Sequence, residues 1–112
     1  MIRTTIRLKA APKHAAEAET ILRGMVERTQ HTPGCLGCHV YQDLQDRSVL
    51  LFEEEWQTPT DLDRHLRSDT YRCLIEVLEM AIQPPQIRFD TIAHSAGLET
   101  IAHAKLSLPE VG

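Results

Sequence analysis

The amino-acid sequence predicts one α+β domain of the ferredoxin-like kind, in which a βαββαβ chain forms an antiparallel sheet with its helices on one face. Three observations predict this class. Residues 2–9 alternate like a strand, residues 12–30 and 71–82 show helical spacing, and residues 35–57 contain two strand-like runs around a polar turn. The length of 112 residues suits a single domain.

The first strand and the first helix follow from the spacing of apolar residues. Every second residue from position 2 to position 8 is apolar or β-branched, which predicts a strand with one buried face. These residues are Ile2, Thr4, Ile6 and Leu8. From Pro12 to Gln30 apolar residues recur at three- and four-residue steps, which predicts an amphipathic helix. Pro33-Gly34 ends this helix, because Gly34 can adopt a left-handed conformation.

A hairpin and a second helical region come next. Cys35 to Leu44 and Ser48 to Gln57 are strand-like runs, and the short polar connection between them predicts an antiparallel hairpin. Thr58-Pro59-Thr60-Asp61 has the residues of a helix start, in which Thr58 is the cap. A second helical stretch opens at Ser68 or Asp69 and carries an apolar stripe from Tyr71 to Ile82.

The end of the domain is marked by prolines. Pro84-Pro85 stops the second helical stretch. Gln86 to about Ala93 then predicts the last strand. We take residues 1–96 as the domain and residues 97–112 as a C-terminal tail, which has weak periodicity and could dock on a neighbour or fray.

Composition excludes several classes of protein. The formal net charge of −4 argues against a nucleic-acid surface, which needs a basic stripe. No apolar run approaches the roughly 20 residues of a membrane span, and the N-terminus has no signal-peptide pattern. Three cysteines without an export signal indicate reduced thiols. The sequence therefore predicts a cytoplasmic protein that binds neither nucleic acid nor membranes.

The hairpin strands predict a homodimer. Leu50 and Phe52 lie on one face of their strand, and Val49 and Leu51 lie on the other. One layer of helices covers only one face of a sheet, so the second apolar surface stays open. Two copies that pair their sheets face to face would bury it.

Polar and aromatic residues that could form a site are concentrated between residues 52 and 71. Phe52, Glu54 and Trp56 point to the same side of their strand, and His65 and Tyr71 lie on the following helices. A pocket lined by a carboxylate, an indole, an imidazole and a phenol would suit a flat aromatic ligand with a few polar anchor points.

Each of these residues also has a structural interpretation. Trp56 and Tyr71 could be core residues, and His65 could be a partly buried histidine that hydrogen-bonds to backbone. Glu54 could pair with Arg7 or Arg88 as a structural carboxylate. Arg7 could bind a substrate oxygen from the polar side of the first strand, although a salt bridge is its default role.

Metal and cofactor sites are not predicted. Cys35 and Cys38 open a strand, so their side chains tend to opposite faces, and no further ligands follow at zinc-site spacing. The sequence contains neither a dinucleotide-binding fingerprint nor a glycine loop that would cradle phosphates.

Three segments together resemble the antibiotic-biosynthesis monooxygenase (ABM) family. They are Pro33-Gly34-Cys35-Leu36-Gly37, Glu54-Glu55-Trp56 and His65-Leu66-Arg67-Ser68-Asp69, and the resemblance extends over about residues 2–94. It implies a dimeric α+β barrel. It also implies oxygenation of quinols or anthrones without flavin, haem or metal, a chemistry in which a deprotonated electron-rich substrate itself reduces dioxygen. Haem-degrading relatives carry an asparagine in the first strand, and this chain has no asparagine.

The expected activity is therefore that of a cofactor-independent monooxygenase for a small aromatic, anthrone- or quinol-like molecule. His65 would act as base or anchor, Trp56 and Tyr71 as wall and hydrogen-bond donors, and Phe52, Glu54 and Arg7 as substrate contacts. Two alternatives remain open at this point. The same pocket could isomerise a small carbonyl compound, or the chain could be a non-catalytic binding or dimerisation module.

Overall fold

One antiparallel sheet of four strands organises the chain in the computed structural model, which describes residues 1–107. The strand order is β2-β3-β1-β4. The elements are β1 (Ile2–Lys9), α1 (Ala15–Gln30), β2 (Cys35–Gln42), β3 (Val49–Trp56), α2 (Pro59–Leu66), α3 (Asp69–Leu78), β4 (Gln86–Thr91) and α4 (Leu98–Ser107). This arrangement confirms the predicted ferredoxin-like α+β fold.

Several element boundaries differ from the predicted ones. Residues 12–14 form a 3₁₀ turn before α1 begins. Helix α3 ends at Leu78, four residues short of the predicted limit, because the chain leaves the helix to pair with the end of β1. Ala81 bridges Ala10, and the Ile82 N–H donates to the Lys9 carbonyl. The apolar stripe from Tyr71 to Ile82 gives no sign of this long-range pairing. The pairing ends the helix in spite of the helical propensity of the sequence.

The start of α2 confirms the predicted cap at Thr58, and Ser68 caps α3 in the same way. The Thr58 hydroxyl oxygen accepts a hydrogen bond from the Asp61 N–H, and the Ser68 hydroxyl oxygen accepts one from the Tyr71 N–H. Both caps satisfy amide groups that have no partner inside their own helix. Because the two short helices are fixed at their first turns, the positions of His65 and Tyr71 over the sheet are fixed with them.

The core lies between the sheet and the helix layer formed by α1 and α3. Alternation in β1 and β3 sends one set of side chains to this side, where Ile6 pairs across with Phe52. Leu22 and Met25 from α1 and Leu74 from α3 meet them and are fully buried. A smaller cluster contains Ile2, Trp56 and Leu62. Because Trp56 belongs to this smaller cluster, apolar packing extends from the core to the predicted site.

A β-bulge in β2 corrects the expectation that Cys35 and Cys38 face opposite ways. The register shifts between Cys35 and Gly37, so Cys35 lies opposite Trp56 and Cys38 lies opposite Glu54. The extra residue of a bulge changes the alternation by one step, and both thiols therefore lie on the helix side. Within residues 1–107, no group of three or more His, Cys, Asp or Glu residues is placed to hold a metal ion.

Gly34 supplies the left-handed turn between α1 and β2, with φ of +86°. A β-carbon at this position would overlap the carboxyl group of Asp61 at the start of α2. We therefore expect Gly34→Ala to lower the free energy of unfolding by about 1–3 kcal/mol, through both backbone strain and overlap.

The matched control for this prediction is Gly24→Ala in the interior of α1. A β-carbon there meets only the end of the Arg28 side chain, at 3.4 Å. Alanine has the higher helix propensity, so this change should stabilise the domain by about 0.5–1 kcal/mol. Urea unfolding of both variants measures the difference, and equal effects of the same sign would contradict the assignment of Gly34.

Candidate functional site

Four side chains from three elements meet on the helix side of the sheet. Glu54 and Trp56 come from β3, His65 from α2 and Tyr71 from α3. The Trp56 and His65 rings lie 4.6 Å apart at 32°, and the His65 and Tyr71 rings meet edge to face at 5.3 Å and 82°. We call these four residues the Glu–His–Trp–Tyr cluster.

Glu54 is held at both of its carboxylate oxygens. The Thr4 hydroxyl donates a hydrogen bond to Oε1 at 3.0 Å, and Nε2 of His65 lies 2.6 Å from Oε2. The contact with His65 is short, although its angles are not those of an aligned hydrogen bond. Glu54 is 1% exposed and His65 3%, so the two groups are effectively removed from water. These partners replace the arginine partners considered for Glu54 from the sequence.

The charge of Glu54 shifts the pKa of two neighbouring side chains. Burial, together with the charge of Glu54, raises the pKa of Tyr71 to about 12. Burial also raises the pKa of Cys38, and Glu54 again adds to the effect. Both causes disfavour the anionic form. The Tyr71 phenol is therefore protonated at neutral pH and remains available as a hydrogen-bond donor.

The indole N–H of Trp56 is a buried donor. Trp56 is fully buried, and its Nε1 has no hydrogen-bond partner among residues 1–107. A buried donor without a partner destabilises the fold by about 1–3 kcal/mol. Such donors are therefore uncommon in a stable core. The indole ring that carries this donor packs against the imidazole of His65, with the ring centroids 4.6 Å apart.

The two other residues predicted for the site lie outside the cluster. Phe52 faces the helix side, two residues before Glu54, and is fully buried in the main core. Arg7 lies on the opposite face of the sheet, where its guanidinium is 3.5 Å from Asp43. There it lines a cavity of about 190 Å³ together with Tyr41 and Leu51. The structure therefore brings together four of the six predicted residues.

The role of Thr4 is not evident from the sequence. It is 2% exposed and interrupts an otherwise apolar strand face, directly opposite Glu54. A threonine among isoleucines is unremarkable in a strand because its β-branched shape suits the sheet. Only the register between β1 and β3 reveals that its hydroxyl meets a carboxylate.

Titration of Tyr71 tests whether its phenol is buried beside the charge of Glu54. A raised folded-state pKa means that the neutral phenol favours the folded state, so this contribution is complete below pH about 10 and is lost as the pH rises through about 12. We expect Tyr71→Phe to flatten the fall in stability across that window. Tyr41→Phe, on the opposite face, is the control. Parallel profiles for wild type and Tyr71→Phe in urea unfolding would contradict the prediction.

The sheet order, the helices on one side and the buried cluster define a ferredoxin-like domain of the dimeric α+β barrel class. The chain belongs to the antibiotic biosynthesis monooxygenase family, whose sequence model matches residues 1–77. This confirms the resemblance inferred from the three segments. None of the curated proteins compared with the chain matches it.

Solved structures agree with this assignment. A conserved protein from Methanosarcina mazei Go1 is 27% identical, with a TM-score of 0.74 over 80% of this chain and 89% of that chain. The protein PA3566 from Pseudomonas aeruginosa is 25% identical, with a TM-score of 0.73 over 83% and 94%. A candidate antibiotic biosynthesis monooxygenase from Deinococcus radiodurans shares the fold at 20% identity, with a TM-score of 0.78 over 88% and 98%.

The family is named for a monooxygenase activity, and the name does not specify a substrate. Within residues 1–107, every helix is too short or too polar to cross a bilayer.

Proposed function

We propose that the chain is a cofactor-independent monooxygenase that acts on a small aromatic, anthrone- or quinol-like molecule. The observation that carries this proposal is the buried Glu54–His65 pair beside the unpartnered indole N–H of Trp56. Because the deprotonated substrate itself reduces dioxygen, the protein needs to supply only three groups. They are a base, a counter-ion for that base and a hydrogen-bond donor that stabilises the substrate oxyanion.

His65 is the proposed base. We assign the proton of the neutral imidazole to Nε2, the nitrogen that lies 2.6 Å from Glu54, and this leaves Nδ1 to accept a proton from the substrate. The Glu54 carboxylate then stabilises the imidazolium that forms. Thr4 fixes the carboxylate from its other oxygen, so the pair is held in place before the substrate arrives.

The substrate anion is the proposed electron donor. It passes one electron to dioxygen, and the resulting radical and superoxide combine to a peroxide anion on the substrate carbon. This anion takes the proton back from the His65 imidazolium and becomes the hydroperoxide. For an anthrone, loss of water from the hydroperoxide leaves the quinone, so one oxygen atom enters the product and the other leaves as water. Trp56 Nε1 and the Tyr71 hydroxyl donate to the substrate oxygen as negative charge develops there.

Phe52 forms the inner wall of the proposed pocket. We do not include Arg7, because its guanidinium lies on the other side of the sheet. Substrate entry requires movement at Tyr71, which is the half-buried member of the cluster. Side chains at the rim of a site commonly rearrange in this way on ligand binding.

The closed interior favours a second candidate, a non-catalytic binding or dimerisation module. Trp56 and His65 pack ring against ring with little exposed surface, as they would in a core with no ligand to hold. This candidate needs no movement of Tyr71. The orphaned Trp56 donor argues against it, since a purely structural core rarely leaves such a group unpaired.

The deciding experiment measures dioxygen uptake by metal-depleted protein with a panel of anthrones and hydroquinones. Uptake that depends on both the substrate and the protein would support the monooxygenase. Turnover of a carbonyl compound that continues without oxygen would point to an isomerase. No reaction with any member of the panel would favour the non-catalytic module.

We also propose that the protein is a cytoplasmic homodimer. Leu51 and Tyr41 leave apolar surface on the sheet face that the helices do not cover, although Val49 beside them is already buried in the single chain, and the fold is that of a dimeric class. The three free cysteines suit a reducing compartment. A mass near 12.7 kDa in solution at micromolar concentration would contradict the dimer.

A further inference from the structure

The Glu–His–Trp–Tyr cluster contains one carboxylate, and His65 is its only basic side chain. In the part of the chain that the structure describes, the buried polar and charged residues are Thr4, Thr29, Glu54 and His65. The two threonines carry no charge. As long as the imidazole is neutral, the charge of the site is therefore the single negative charge of Glu54.

The lysine and arginine side chains of the described residues are all at least partly exposed, and none of them is buried. On the two helices that carry His65 and Tyr71, the arginines form ion pairs with aspartates of their own helix. Arg64 and Arg67 of α2 are 60% and 75% exposed, and Arg72 of α3 is 80% exposed. These guanidinium groups point to solvent and not into the cluster.

The cations of the other neighbouring elements also lie elsewhere. Arg3 of β1 pairs with Glu55, and Arg88 of β4 lies opposite Thr5, so both are on the sheet face away from the cluster. Arg28 of α1 is exposed, and its guanidinium lies against the Cys73 sulfur. A ligand in the site would find His65 as its only cationic partner among the described side chains.

Two neighbouring groups already respond to the uncompensated carboxylate. Burial is the larger cause of the raised pKa of Tyr71 and Cys38, and the charge of Glu54 adds to it at both. These residues come from α3 and β2, on different sides of Glu54. A negatively charged group of a ligand that lies against Tyr71 is subject to the same repulsion.

We propose that the cluster selects substrates without an acidic substituent, so that uncharged phenols bind and their carboxylated, sulfonated or phosphorylated analogues are excluded. This inference rests on the proposed monooxygenase function and narrows its substrate class. Proton transfer from an uncharged phenol to His65 forms one anion and one cation, so the total charge of the site does not change. An acidic substituent would bring a second negative charge next to Glu54, and a buried charge without a partner is strongly unfavourable.

Calorimetric titration with gentisate and gentisamide tests this selection. Both ligands are hydroquinones of nearly the same shape, and at neutral pH gentisate carries a carboxylate where gentisamide carries an uncharged amide. Under nitrogen, where no oxygenation occurs, we expect the wild-type protein to bind gentisamide about tenfold more tightly or better, because like charges repel strongly in a buried site. Equal or tighter binding of gentisate would overturn the inference, and so would binding of neither ligand.

The variant Glu54→Gln identifies the source of the discrimination. It removes the charge and keeps the size of the side chain, so the ratio of the two dissociation constants should fall by about fivefold or more towards one. Glu53→Gln is the matched control, because Glu53 faces the other side of the sheet, and it should keep the wild-type ratio. An unchanged ratio in folded Glu54→Gln would overturn the inference. The wild-type comparison decides the question without this variant if the variant does not fold.

Binding and oxygen uptake separate this inference from the proposed function. Selective binding of gentisamide, with no dioxygen uptake from any anthrone or hydroquinone of the panel, would support the charge selection and contradict the monooxygenase. Dioxygen uptake that is as fast with gentisate as with gentisamide would support the monooxygenase and overturn the charge selection.

Discussion

His65→Ala will lower substrate-dependent dioxygen uptake by about 10²- to 10⁴-fold, the range over which a positioned base accelerates proton transfer. The variant removes the group whose Nε2 lies 2.6 Å from Glu54 and leaves the carboxylate buried. The loss should appear mainly in kcat, because the proton is transferred after the substrate has bound.

His39→Ala provides the matched control. His39 is exposed on the opposite face of the sheet, so its loss should leave uptake within about twofold of wild type. Circular dichroism and urea unfolding separate lost catalysis from lost fold. If folded His65→Ala consumed dioxygen at the wild-type rate, the assignment of His65 as base would be wrong.

Glu54→Ala will lower the free energy of unfolding by about 3–5 kcal/mol, which is the usual cost of removing one member of a buried pair. Two groups lose their partner in this variant, the Thr4 hydroxyl and Nε2 of His65. Both remain buried, so water does not replace the lost contacts.

A double-mutant cycle isolates the coupling between Glu54 and His65. If the two side chains interact as their distance indicates, the stability loss of Glu54→Ala with His65→Ala should be smaller than the sum of the single losses. Glu53→Ala is the control, since Glu53 precedes Glu54 and faces the other side of the sheet; its loss should stay within about 0.5 kcal/mol. Additive losses for Glu54 and His65 would mean that the pair does not stabilise the domain.

Much of the fold was predictable from local signals. Alternation in β1 and β3 decides which residues face the helices, and the cap at Thr58 fixes where α2 begins. The convergence of Glu54, Trp56 and His65 follows from these two facts, because side chains on one strand face and on the helix packed against it point into the same space.

Other features depend on pairings that local patterns do not encode. The early end of α3 comes from contacts with β1, more than 60 residues earlier in the chain. The hydrogen bond from Thr4 to Glu54 depends on strand register. Arg7 was assigned to the polar side of its strand, and that side proved to be the sheet face away from the cluster.

The bulge in β2 bears on whether peroxide formed at the proposed site would oxidise nearby cysteines. It brings the sulfurs of Cys35 and Cys38 to the side of the sheet where peroxide would form. Burial raises the pKa of both thiols, and Glu54 adds to the effect at each. Peroxides oxidise thiolates far faster than thiols. The same carboxylate that supports the base would therefore also keep the nearest cysteines in the form that resists oxidative damage.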